Sequence, residues 1–260
     1  MITSSSNGKI KYIMTLVQKS KLRKKEGRFV IEGPRIFEEA PIEDIEEVYV
    51  NEASLEEFPK GVKDKLKKVR YELVTESVFK KISDTVTPQG ILCVMKIKES
   101  SMDEVINSSN AHIVVLENIQ DPGNIGTIIR TAEGAGVTGI ILSKDCVDIY
   151  SPKVIRSTMG SIFRSKIAIT DDVTDTLNTL KKKGIKTYAF ALERDAKTYD
   201  SYDYKNTCAL VIGNEGNGLK KETIEACDFT AFIPMAGEVE SLNASVAASL
   251  AMYEVARQRR

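Results

Sequence analysis

Chemistry in this chain must be done with few of the usual tools. It holds one histidine, His112, and four cysteines, Cys93, Cys146, Cys208 and Cys227, none in CxxC spacing. That pattern excludes a histidine pair or a His/Cys cluster for a metal, and also a disulfide framework. His112 opens the apolar run HIVVLE, where a residue at the mouth of a strand is expected. Reactive roles therefore fall to Arg, Glu, Asn, Ser and backbone groups. Three segments of the second half concentrate them, each directly after an apolar run.

The first is ENIQDPGNIGTIIRTAEGAG, residues 117–136. Pro122 and Gly123 make a turn, and Asp121 or Asn124 can cap the helix that follows. Ile125, Ile128, Ile129 and Ala132 form its buried stripe, with Arg130 about 100° from Ile129 at the stripe's edge. The second is LVIGNEGNGL, residues 210–219, where Gly213, Gly216 and Gly218 allow close backbone approach to a ligand. Its Gly213-to-Gly218 spacing half-matches a phosphate loop, but Leu219 stands where the lysine must be. No GxGxxG fingerprint occurs, which weakens a dinucleotide reading. Glu215 sits between these glycines with no packing reason to be there. The third, residues 233–254, leaves a strand at Pro234 and enters a helix through Ser241, Leu242 and Asn243. Ser241 or Asn243 suits the N-cap, and the alanines beyond it allow close packing, internal or between subunits.

The elements that must carry these loops alternate. After residue 111 the apolar pattern predicts strands at 112–117, 138–142, 166–169, 186–191, 208–212 and 229–233. Helices are expected at 124–135, 151–159, 172–183, 219–226 and 243–258. Runs such as IVVL and GIIL are apolar throughout, as in a parallel sheet covered on both faces, with ligands at the carboxyl ends of its strands. Before it, shorter elements are expected: helices at 8–20, 34–40, 60–68 and 75–81, and strands at 28–31, 47–50, 70–74 and 90–97. The polar, serine-rich stretch 98–110 reads as a linker, giving units 1–98 and 111–260 joined by 99–110.

Composition fits this picture. The 260 residues are 42% hydrophobic and 28% charged, a globular balance, and 37 basic residues cancel 37 acidic ones. No membrane-spanning run and no signal-peptide block are evident, and the scattered cysteines fit a reducing cytoplasm, the expected location. The charges are nevertheless segregated. Residues 1–35 carry nine Lys/Arg against two Glu, residues 36–59 nine acids and no base. The block KSKLRKKEGR, with Lys21, Arg23, Lys24, Lys25 and Arg28, reads either as a solvated helix face or as a grip on a phosphate backbone.

Taken in order, NxxDPxNxGxxxRTAExxG (Asn118–Gly136), VIGNEGxGL (Val211–Leu219) and IPMxGxxxSLNxSVAAxLxxYE (Ile233–Glu254) resemble the SpoU (TrmH-type) family of RNA ribose 2′-O-methyltransferases, within the SPOUT superfamily. Residues 7–97 are similar to that family's N-terminal RNA substrate-binding domain, itself like small RNA-binding ribosomal proteins. Ala244 and Asn217 depart mildly from the family pattern. The resemblance implies an α/β fold in two domains, the C-terminal one a parallel sheet whose chain threads a deep trefoil knot. It implies S-adenosylmethionine held by Gly213, Ile233, Leu242 and Asn243, and a reacting ribose served by Arg130, Asn124, Glu215, Ser241 and Asn243. It further implies an RNA partner, ribosomal RNA favoured, and a homodimer through the C-terminal domain, with no metal and no membrane. A transfer-RNA enzyme of the same fold and a non-catalytic RNA-binding adaptor are the competing readings.

Overall fold

The computed structural model describes residues 1–193 and 195–260. In chain order the first part runs α1 (Gly8–Gln18), α2 (Ser20–Glu26), β1 (Arg28–Glu32), α3 (Pro34–Glu39), β2 (Ile45–Asn51), α4 (Lys60–Leu66), β3 (Glu72–Val74), α5 (Glu76–Ile82) and β4 (Ile91–Lys96). The remainder runs α6 (Met102–Ile106), β5 (His112–Leu116), α7 (Pro122–Gly134), β6 (Gly139–Ser143), α8 (Pro152–Thr158), β7 (Ile167–Thr170) and α9 (Val173–Lys182). It closes with β8 (Lys186–Phe190), β9 (Lys197–Thr198), β10 (Cys208–Ile212), α10 (Lys221–Ala226), β11 (Phe229–Phe232) and α11 (Ala244–Gln258).

Two compact units result. One comprises Met1–Lys98 with Asp148–Phe163, the other Glu99–Val147 with Arg164–Arg260. Segment 148–163, which the sequence assigns to the second half, thus belongs to the first unit. Its anchors are an ion pair from Asp148 to Arg23 at 2.7 Å, ring contact of Tyr150 with Phe29, and an ion pair from Arg156 to Asp84. The first unit is a four-stranded sheet in the order β1-β4-β2-β3, with β1 and β2 antiparallel to β4 and β3 parallel to β2. Ile10, Ile13 and Leu16 of α1 recur every three residues and bury fully against it. The expected single helix at 8–20 is two: the chain extends at Lys19 and restarts as α2, which Gly27 ends in a left-handed turn.

The second unit is an all-parallel, seven-stranded sheet in the order β7-β6-β5-β10-β8-β11-β9. Every residue of β5, β6 and β10 is buried, as a sheet covered on both faces requires. The stretch expected to be a linker is partly folded. Ser101 and Glu104 make a reciprocal capping box for α6, whose Val105 and Ile106 join the core. His112 is 1% exposed, its Nε2 without a partner among the described residues. Burial, aided by nearby Arg259, depresses its pKa to about 3, so the imidazole is neutral.

No helix among the described residues is long and apolar enough to cross a membrane, and no group of three His, Cys, Asp or Glu is placed to hold a metal ion.

Candidate functional site

The three segments converge at the carboxyl ends of β5, β10 and β11. The loops after β8, β10 and β11 enclose a cavity of about 380 Å³. Gly213, Ile233, Ser241 and Leu242 line it, with Leu219 and Ala247 beneath. Gly213 is obligatory there: a Cβ would lie 2.3 Å from the carbonyl carbon of Gly218, because the loop folds back on itself. Asn214 and Gly218 exchange backbone hydrogen bonds of 3.0 and 2.9 Å, closing a tight turn with Glu215 at its tip. Residues 235–242 make no backbone hydrogen bond among the described residues, so their N–H and C=O groups are left for a ligand or water.

A chain of side-chain contacts borders this cavity. The Asn124 amide donates to Glu215 Oε1 at 2.9 Å, and the Asn243 amide donates to Asn124 Oδ1 at 2.9 Å. Asn243 Oδ1 in turn caps α11, accepting from the backbone of Ser245 at 2.9 Å and Val246 at 3.4 Å. Of the two possible caps at each helix, the structure uses Asp121 for α7 and Asn243 for α11. Glu215 also accepts from the backbone N–H groups of Gln120 and Asp121, both at 3.2 Å. Burial alone would raise its pKa. The donations from Asn124 and from the backbone outweigh it and hold the carboxyl below its ordinary range, ionised at neutral pH.

Asn124, Glu215 and Asn243 are thus joined, and Ser241 faces the cavity nearby. Arg130 is not gathered in. It stands exposed on α7, outside the cavity lining, and its guanidinium makes no hydrogen bond or ion pair with the described residues. Asn243 reaches the site through Asn124 and is itself outside the lining. Sequence reasoning misses Asn118, Gln120 and Asn214, which tie the first two loops together. It also misses Glu117, buried at 3% exposure, whose carboxylate accepts from Lys220 N–H and the Thr223 hydroxyl and so fixes the start of α10.

The basic block of the first unit divides. Lys21, Lys24 and Lys25 are exposed on one face of α2. Arg23 is 4% exposed: its guanidinium donates to the carbonyls of Leu16 and Val17 at 2.6 and 2.8 Å and pairs with Asp148. Its expected contact with RNA is therefore corrected; it finishes the end of α1. Arg28 is half-exposed and already paired with Glu46, so it is not a free cation either.

Residues 111–253 match the SpoU rRNA Methylase family, and residues 7–93 match the MRM3-like substrate binding domain. The chain belongs to the SpoU rRNA methylase family. It is 30% identical to the 23S rRNA (guanosine(2553)-2′-O)-methyltransferase RlmP of Bacillus subtilis over 98% of both chains. The crystal structure of the SpoU methyltransferase AviRb from Streptomyces viridochromogenes in complex with AdoMet is similar at a TM-score of 0.86 and 27% identity, covering 97% of this chain and 98% of that one. The A. aeolicus TrmH/SpoU tRNA modifying enzyme is similar over 61% of this chain and 80% of its own, at 29% identity and a TM-score of 0.52.

Proposed function

We propose that the protein is an RNA 2′-O-ribose methyltransferase that uses S-adenosylmethionine and acts on ribosomal RNA. The observation that carries this reading is the cavity of about 380 Å³ between the second and third loops, bordered by the Glu215–Asn124–Asn243 chain. The cavity fits the cofactor's chemistry: an adenine and a bent methionine need apolar walls, close backbone approach at Gly213 and free backbone groups, here those of residues 235–242. Gly213, Ile233 and Leu242 would hold it, with Asn243 ordering the start of α11 behind them. The bound cofactor supplies a methyl group on a sulfonium.

The chain's own contribution is orientation and charge. Asn124, Ser241 and ionised Glu215 order the reacting end, and Arg130 steadies the developing alkoxide or the adjoining phosphate. A guanidinium is a poor base but a good partner for either anion. Since Arg130 lies outside the cavity lining, we assign its delivery to a second copy of the chain. Val246, Leu250 and Tyr253 recur at i, i+4 and i+7 on α11 and are 46%, 39% and 46% exposed, a stripe suited to a homodimer. The knot is part of the same proposal; the parallel neighbours β5, β10, β8 and β11, followed by a return of α11 onto α7, support it. Four free cysteines agree with a reducing cytoplasm.

Ribosomal RNA is favoured over transfer RNA by coverage. The likeness to the 23S rRNA enzyme spans both units, whereas that to the tRNA enzyme covers 61% of the chain. Residues 1–98 then present the RNA, with the free lysines of α2 on its phosphates. Calorimetry with S-adenosylmethionine, followed by mapping of 2′-O-methyl groups in RNA from cells with and without the gene, tests the reading. Binding and one lost methyl in ribosomal RNA are expected. No cofactor binding at millimolar concentration would return the adaptor reading, and a methyl lost from transfer RNA would return the tRNA one.

A further inference from the structure

Glu215 is held almost entirely by groups of other loops, and those loops are tied to one another by two asparagines. Asn118 follows β5 in the left-handed region at φ 56, where a non-glycine residue persists only if its surroundings fix it. They do: its N–H donates to Ser143 Oγ at 2.9 Å, its Oδ1 accepts from Gln120 Nε2 at 2.7 Å, and its carbonyl accepts from Asn214 Nδ2 at 2.7 Å. Gln120 Nε2 also reaches the carbonyl of Asp145, so the segment after β6 is included. Asn214 spends its whole amide on this junction. Its Oδ1 accepts from Gly216 and Asn217 N–H at 2.9 and 3.0 Å, shaping the turn, while Nδ2 also lies 3.4 Å from Glu215 Oε2.

We propose that Asn214 and left-handed Asn118 form a latch that positions Glu215, and through it Asn124, for methyl transfer. The latch works from both sides: Asn214 shapes the turn that bears the carboxylate, and its bond to Asn118 registers that turn against the Gln120 and Asp121 N–H groups that receive it. Without it Glu215 keeps its charge but loses its address. Both are positioning residues, and the proposal rests on the methyltransferase reading above.

Two substitutions separate latch from scaffold. Asn214→Asp keeps the acceptor for Gly216 and Asn217 but turns the donor into a carboxylate oxygen facing the Asn118 carbonyl and Glu215. The charged residues on the surrounding segments are Glu117, Asp121, Lys144, Asp145, Glu193, Glu215, Lys220, Glu238 and Glu240. Being mostly acids, they favour the protonated form of the new carboxyl. Single-turnover methylation at saturating RNA and cofactor should fall about 10²-fold, the scale of losing one well-placed polar contact. Calorimetric cofactor affinity should stay within about threefold. The ratio of variant to wild-type rate should rise as pH is lowered, since protonation of the introduced carboxyl restores a donor toward the Asn118 carbonyl. At position 118, Asn118→Gly keeps the left-handed backbone and its carbonyl, whereas Asn118→Val forbids that conformation. Gly should retain activity within a few fold, and Val should lose it as Asn214→Asp does.

Full activity in Asn214→Asp, a loss recovered entirely by more cofactor, or equal losses in the Gly and Val variants would overturn the latch. If Asn214→Asp fails to fold by circular dichroism, the Gly/Val pair alone decides. A wild-type protein that binds no cofactor and transfers no methyl would refute the functional reading instead, and the wild-type measurement shows which has failed.

Discussion

Two residues show how far charge alone misleads. Arg130 has the freedom that a catalytic cation needs, and its replacement is the direct test of its role. Arg130→Ala should lower single-turnover transfer at saturating RNA on the order of 10²–10³-fold if the guanidinium stabilises an oxyanion. A loss recovered at high RNA concentration would mark a phosphate grip instead. Cofactor affinity should be unchanged in either case, because the cavity lining does not include Arg130. His112 is the opposite case, a titratable group with no chemistry to do. Its folded pKa of about 3 lies below the ordinary 6.5, so the unfolded chain binds the extra proton between those values. Stability from this residue is complete above about pH 6.5 and is lost as pH falls toward 3, a total on the order of 5 kcal/mol. Urea unfolding from pH 7 to 4 should show this slope, and His112→Leu should flatten it by about one proton. An unchanged slope would assign the acid sensitivity to other groups.

At the scale of elements, α2 gives the sharpest contrast. Lys21, Lys24 and Lys25 share its exposed face, while Arg23 points inward to the end of α1. Replacing the three lysines with glutamine should reduce the salt slope of RNA binding by about 2, at roughly 0.7 per phosphate contact, with stability nearly unchanged. Replacing Arg23 with methionine should leave Asp148 half-buried and unpaired, costing about 3–5 kcal/mol in stability, with no specific change in salt slope. Chemical denaturation beside a salt titration of RNA affinity distinguishes these outcomes. The alternation of apolar runs makes nearly every long element legible in the sequence, because strands buried on both faces leave few other options. Burial of a single arginine is not legible, since Lys19 to Lys25 look alike until the fold chooses one. The helix α6 was recoverable from Ser101 and Glu104, a capping pair hidden by the serines around it. Asn214 and Asn118 were not recoverable as a pair, for their bond joins loops 96 residues apart. Glycine-rich spacing marks where a backbone must come close, not which asparagine holds it there.

For the whole molecule, the question is whether one copy of the chain is enough. The small side chains of α11, Ala248 and Ala251, are buried internally, where the helix packs on α7 and β10. The alanines are therefore used up within the chain, and the stripe left over is Val246, Leu250 and Tyr253. Truncation to the second half is a poor test of dimerisation, since residues 148–163 would lose the partners they have in residues 1–98. Point substitution avoids this. Leu250→Asp with Tyr253→Ser should shift sedimentation from dimer to monomer without unfolding, as both side chains face outward. The monomer should still bind S-adenosylmethionine, because the cavity lies within one chain. If a second copy delivers Arg130, as proposed, the monomer should transfer methyl groups poorly. Mixing it with an Arg130→Ala protein cannot restore activity unless dimers form, so recovery of transfer would track recovery of the dimer. A monomer with full activity would place Arg130 in the same chain's site and remove the need for a second copy.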